Sequence, residues 1–244
     1  MFISIMVVVF GLAGLIKGLI GLGLPTVSMG LLSLIMSPLQ AAALLIIPSM
    51  LTNLWQLLAE GRIGFFIRRF WTLLLGIVVG AQWSFLPSLG HGKISELLLG
   101  IMLLLYGIYG LVAKDLPNLA AYEKYLSPFV GYLGGALTVA TGVIIIPIVP
   151  YLQTLHLKRD QLIQALGLSF TASNICLAIF LQQHIVQNSM QFAWACFAVL
   201  PAILGMWLGK ELRQHLNERR FRQYFFIGLI ALGAYMSFPN LGFT

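Results

Sequence analysis

Apolar residues run along this chain in eight stretches, at about 3–36, 39–59, 70–88, 94–113, 128–157, 161–181, 190–209 and 222–238. Most have the length of about 20 residues that a helix needs to cross a bilayer core of ~30 Å. The first and fifth are too long for one helix, and glycine and proline interrupt both, so each predicts a broken helix. The widest hydrophilic gap, KDLPNLAAYEKYLSP at 114–128, predicts a linker over 114–127 between a first half, 1–113, and a second, 128–244.

Composition fixes the solvent. Hydrophobic residues make up 59% and charged residues 9%, against ~25% charged in a soluble domain, and the mean hydropathy is +0.95. A soluble enzyme or nucleic-acid module of this size cannot hide so much apolar surface. The expectation is an all-α, polytopic integral membrane protein. Its net charge of +7 follows from basic cytoplasmic loops and needs no nucleic acid. The opening MFISIMVVVF lacks a positive n-region and reads as a retained segment. Cys176 and Cys196 both lie in apolar stretches, and read as packing residues with no disulfide or metal spacing.

The halves match. At an offset of 121, Gly14 falls on Gly135, Gly21 on Gly142, Gln40 on Gln161 and Asn53 on Asn174; Gly76, Gly80 and Gly100 fall on Gly205, Gly209 and Gly228 at 129 or 128. The change in offset predicts a longer second-half loop near Gln182–Met190. An internal duplication points to a transporter architecture. Eight plain spans in parallel repeats split the basic residues eight to five. Re-entrant hairpins at stretches one and five leave three crossings per repeat and inverted halves. Twelve basic residues then lie on one side and only Lys93 on the other, with Lys17 in the membrane. The positive-inside rule favours the inverted scheme.

Three features carry candidate chemistry. The hairpin tips, Lys17-Gly18-Leu-Ile-Gly21-Leu-Gly23-Leu-Pro25 and Thr138-Val-Ala-Thr141-Gly142 through Pro147, break helices at membrane depth. Broken ends offer N–H groups and positive dipoles suited to anions. Gly14/Gly18, Gly76/Gly80, Gly131/Gly135 and Gly205/Gly209 also fit close helix packing. On the next helix, Ser49, Thr52, Asn53 and Gln56 share one face, echoed by Ser173 and Asn174, with Thr171 a turn before. This stripe binds substrate or tethers helices. Lys17 is the sharpest residue. An ammonium at the bilayer centre costs roughly 2.5–3.5 kcal/mol, so it either neutralises an anion or snorkels to the interface. All seven carboxylates (Glu60, Glu96, Asp115, Glu123, Asp160, Glu211 and Glu218) fall in loops or at segment ends, which favours an anionic or neutral substrate over a cation. His91, His156, His184 and His215 form no ligand cluster, and the Lys210–Arg222 run reads as a cytoplasmic loop.

The opening G-L-A-G-L-I-K-G-L-I-G-L-G-L-P, the S-P-L-Q-A-A that follows and the repeat G-Y-L-G-G-A-L-T-V-A-T-G resemble the sulfite exporter TauE/SafE family over essentially the whole chain. The resemblance implies a bacterial inner-membrane permease for small, often sulfur-containing anions: sulfite, sulfoacetate or other organosulfonates. It assigns the substrate path to Lys17–Pro25, Thr138–Pro147 and the polar positions around Asn53 and Asn174. The second motif departs from the family pattern, since Thr-Val-Ala-Thr-Gly replaces a richer glycine run. Thr138 and Thr141 hydroxyls then stand in for backbone donors.

These observations predict a secondary transporter whose tips meet near the midplane. Lys17, the Gly21 and Gly23 amides, and second-repeat hydroxyls and amides there hold a small anion. The expected partners are that anion, the lipid bilayer and a coupling ion, proton or sodium; no cofactor, metal or nucleic acid is expected. The glycine pairs are compatible with a homodimer. The rival reading is a non-transporting membrane scaffold or assembly factor. An intramembrane enzyme lacks an acid–base pair at matching depth.

Overall fold

The computed structural model describes residues 2–58, 61, 63–113, 116–186, 189–213, 215 and 218–238, apart from the side chains of 183–186, 189, 218 and 219. Among them are ten α-helices: α1 Phe2–Ile20, α2 Leu24–Leu32, α3 Pro38–Leu58, α4 Ile63–Gln82, α5 Lys93–Val112, α6 Glu123–Thr141, α7 Ile145–Thr154, α8 Arg159–Val186, α9 Ser189–Leu212 and α10 Glu218–Ser237. Six of these, α1, α3, α4, α5, α8 and α9, contain spans long and apolar enough to cross a membrane. The chain is a multi-pass helical membrane protein.

The two overlong stretches break where glycine stands. α1 gives way to α2 through Gly21 and Gly23, whose φ values of 85° and 111° suit a residue without Cβ. Pro25 then fits the first turn of α2, where its missing N–H leaves no carbonyl unpaired. α6 ends on Gly142, a left-handed cap whose N–H donates to the Thr138 carbonyl. α2 and α7 are roughly 14–15 Å long at ~1.5 Å per residue, half of the bilayer core. α1 and α6, with 19 residues each, reach about 28 Å. The hairpins are therefore lopsided: a long arm of spanning length and a short return.

Other boundaries shift for local reasons. α4 starts at Ile63, earlier than its apolar core predicts. A segment carrying Arg68 and Arg69 precedes a kink at Phe70 (φ −101°, ψ 17°). α6 starts at Glu123, inside the expected linker, and α8 runs through most of the expected Gln182–Met190 loop. Arg62, Lys114, Glu60 and Asp115 lie outside the described residues.

Burial reaches 67% along the spans of α3 and α8 but only 33–39% along those of α1, α4, α5 and α9, so the first two form the centre. They run antiparallel: Gln164 Nε2 donates to the Leu57 carbonyl and Asn174 Nδ2 to Ser49 Oγ. α5 and α10 are also antiparallel, with Gly100 beside Gly233 and Gly107 beside Phe226. α1 runs parallel to α9, and α4 to α6. These directions gather Arg68, Arg69, Lys124, Lys158, Arg159, Lys210, Arg213, Arg220 and Arg222 at one end of the bundle, and Lys93 at the other. At the basic end a bidentate ion pair, Arg69 Nε and Nη2 to Glu123 at 2.8 and 2.7 Å, joins α4 to α6.

The four glycine pairs work in couples. A Cβ on Gly14 or Gly18 would stand 2.2 Å from the Ala202 or Met206 carbonyl oxygen, and one on Gly205 or Gly209 would stand 2.1 Å from that of Gly11 or Leu15. Gly76 and Gly80 interlock in the same way with Gly131 and Gly135. All four pairs thus bring backbones together within the chain. Gly80→Ala, whose Cβ would lie 1.9 Å from the Tyr132 carbonyl oxygen, should cost at least about 2 kcal/mol by overpacking and lower the thermal midpoint in detergent. Gly228→Ala, with nothing within 4 Å, should leave the midpoint unchanged or raise it by helix propensity.

Candidate functional site

Lys17 lies in the last turn of α1 and is 2% exposed. It does not snorkel. Its Nζ donates to Thr52 Oγ1 at 3.0 Å and to Asn53 Oδ1. Both acceptors are neutral, and no carboxylate forms an ion pair with it among the described residues. An ammonium has three N–H donors; the third has no protein acceptor there. The α3 face it meets is shaped by Pro48, which interrupts the helical ladder. The Thr52 hydroxyl donates back to the Pro48 carbonyl at 2.8 Å, leaving its lone pairs for Lys17.

Behind Lys17 the polar stripe becomes a tether. Asn53 Nδ2 and Asn174 Nδ2 both donate to Ser49 Oγ, at 3.2 and 2.8 Å, so one hydroxyl joins α3 to α8 at the centre of the bundle. At the positions 121 residues further on, Thr138 and Ser173 hydroxyls lie 2.9 Å apart, matching the Lys17–Thr52 contact across the same 35-residue separation. All seven residues of this band are buried.

A cavity of about 420 Å³ opens from this band toward the basic end between α1, α3, α8 and α9. Lys17, Gly18, Gly21, Thr52 and Gln56 line it from the expected motifs; Leu51, Trp55, Asp160, Ile163, Ile203, Met206, Trp207, Lys210 and Arg213 complete it. Its ionic lining is three cations and one carboxylate. Gln56 Nε2 donates to the Gly21 carbonyl at 2.8 Å, while its buried Oε1 has no partner. Trp207 and Lys210 on α9, and Arg213 just past its end, recur every three residues. That spacing marks one helix face, although the basic residues read as loop charges.

Several expectations about the tips need correction. The tips do not meet. Gly21 lies beside Ile163 near the start of α8, whereas Gly142 lies beside Met29 and Ala42 near the start of α3. Between Ala42 and Gln56, which bonds Gly21, α3 extends roughly 20 Å. The Gly21 amide donates to the Lys17 carbonyl and the Gly142 amide to that of Thr138, each at 2.8 Å, so neither is free to bind solute. The Thr141 hydroxyl donates to the Leu137 carbonyl at 2.7 Å and accepts from the Val143 amide, closing the α6 break. Gly23, Pro25, Ser49, Asn53, Thr138, Thr141, Gly142, Ser173 and Asn174 do not line the Lys17 cavity. Among the described residues no cluster of His, Cys, Asp and Glu has metal-holding geometry. Cys176 and Cys196 are unpaired.

Ser49→Ala removes the acceptor shared by two buried amides. Unsatisfied buried donors cost about 1–3 kcal/mol, so the variant should unfold at a clearly lower temperature in detergent, with Ser49→Thr recovering much of the loss.

A family model described as sulfite exporter TauE/SafE matches residues 6–236. No curated protein and no solved structure matches the chain. The match extends from α1 to the last turn of α10 and takes in both broken hairpins, Lys17 and the central tether: the chain belongs to the sulfite exporter TauE/SafE family of membrane permeases.

Proposed function

We propose that this protein is a secondary transporter that moves a small sulfur-containing anion, such as sulfite, sulfoacetate or another organosulfonate, across a bacterial inner membrane. The observation that carries this reading is the third N–H of Lys17: a buried ammonium, held by two neutral oxygens, with a donor left over at the inner end of a cavity. A small oxyanion supplies the missing acceptor and the missing charge together. Lys210 and Arg213 at the mouth attract the same solute, and Gln56 and Thr52 line its way to Lys17. Behind it, Asn53 and Ser49 position Lys17 against α3, and Asn174 ties that face to α8.

The halves are two inverted repeats in this reading. The antiparallel α3–α8 and α5–α10 pairs, and the exchanged pairs α1–α9 and α4–α6, support it, since each pairing maps onto itself or its counterpart under the 121–129 residue offset. The basic end is cytoplasmic by the positive-inside rule, and the Lys17 cavity is the inward-open arm of an alternating-access cycle. Rocking of the α1–α9 arm against the α4–α6 arm about the α3–α8 contact closes it and opens the opposite side. The coupling ion is a proton or sodium.

Reconstitution into proteoliposomes tests this reading with sulfite, sulfoacetate and methanesulfonate. Lys17→Met should abolish flux or weaken apparent affinity roughly tenfold or more, the worth of one charge-assisted hydrogen bond. Lys17→Arg should keep part of it. Unchanged affinity in Lys17→Met for every anion moved would exclude the lysine's role, and wild-type protein that moves none of them would favour the scaffold reading.

A further inference from the structure

A second, smaller cavity of about 160 Å³ lies at the basic end, sharing Gly21 and Ile163 with the Lys17 cavity as a common wall. Its polar side chains are Tyr106, Gln153, Arg159 and Arg222, and no Asp or Glu lines it. Tyr106 is 2% exposed, and its hydroxyl has no hydrogen-bond partner among the described residues. Gln153 accepts the Tyr109 hydroxyl on Oε1 at 2.8 Å, which leaves its Nε2 donors for the cavity. The Arg222 guanidinium stacks over Phe226, 5.6 Å from the ring centroid, and forms no ion pair with a described carboxylate. The first turns of α8 supply the opposite wall, at the positive end of that helix dipole. Asp160, in the same turn as Arg159, lines the other cavity.

We infer that this second cavity is a separate anion site, which takes one oxyanion group (phosphate, sulfonate or sulfite) between the Tyr106 hydroxyl, the Gln153 amide and the Arg222 guanidinium. Every polar group that lacks a partner here is a hydrogen-bond donor, and their only ionic charge is positive. That set fits a tetrahedral or pyramidal oxyanion and repels a cation. The volume admits one such group with little water, each water taking ~30 Å³. A solute anion and the phosphate of an inner-leaflet phospholipid present the same chemistry. Because Gly21 forms part of both walls, the second site adjoins the linker between α1 and α2. The inference stands apart from the transport reading, since none of its donors touches Lys17.

The full-length Lys17→Met protein isolates this site. Titration calorimetry with methanesulfonate, sulfate and inorganic phosphate should show it still binding one anion per chain, or native mass spectrometry should show it retaining one anionic phospholipid. The first result identifies a solute site and the second a headgroup site. Adding Tyr106→Phe or Arg222→Gln should weaken the retained species roughly tenfold or more, with an unchanged size-exclusion profile reporting an intact fold. If Lys17→Met binds none of these anions and retains no anionic lipid, or if the added substitutions leave its ligand undisturbed, the second site does not exist. Wild-type flux that depends on Lys17 would survive that result. Conversely, flux indifferent to Lys17 would exclude the lysine's role in transport and leave this inference standing.

Discussion

A lysine ammonium inside a membrane protein, held by neutral oxygens alone, is the constraint from which the rest of this structure follows. Burying that charge away from water is costly unless it is paired and hydrogen-bonded, and the contacts to Thr52 and Asn53 meet only part of its hydrogen-bonding capacity. Asn53 is in turn held by Ser49, and Ser49 by Asn174 across the central helix pair. The charge, its acceptors and the α3–α8 contact thus form one connected polar unit. In the transport proposal, a solute that settles on Lys17 acts on the contact between the two central helices, around which the arms move.

Lipid tails are as apolar as leucine, so burying hydrocarbon does little to join helices in a bilayer. Close backbone approach has to do that instead. The eight glycines of the four interlocking pairs supply it at α1–α9 and α4–α6, where carbonyl oxygens occupy the space a side chain would need. These tight pairs carry the long arms of the broken hairpins. The polar centre packs between them through hydroxyls and amides, which gives rigid arms around a hydrogen-bonded joint.

Much of this was legible in the sequence. The apolar run lengths marked the helices, Gly21, Gly23 and Gly142 marked the breaks, and the Ser49–Gln56 stripe pointed to a helix face turned inward. Lys17 stood out because a membrane-depth charge needs a reason. The position of the tips was not legible. Glycine and proline say where a helix breaks but not how far it has travelled, and a 19-residue arm carries its break about 28 Å along its axis, so the two breaks lie at opposite ends of the bundle. Nor was the α9 wall of the cavity visible, because Trp207, Lys210 and Arg213 meet Lys17 only through the long-range α1–α9 pairing. Their charges looked like part of a basic loop until that helix was laid against the first. The Gly21 amide illustrates the same limit: spacing marked it as a backbone donor, and the carbonyl one helical turn back already holds it.

The account depends most on Lys17 facing an anion-accessible space that opens at the basic end. Thr52→Cys, in a background with Cys176 and Cys196 replaced by serine, tests this in oriented membrane vesicles with membrane-impermeant thiol reagents of opposite charge. The account predicts modification from the basic side, faster with the anionic than the cationic reagent and slowed by methanesulfonate. A thiol that reacts from neither side, or reacts without preference for negative charge and without protection, would contradict it.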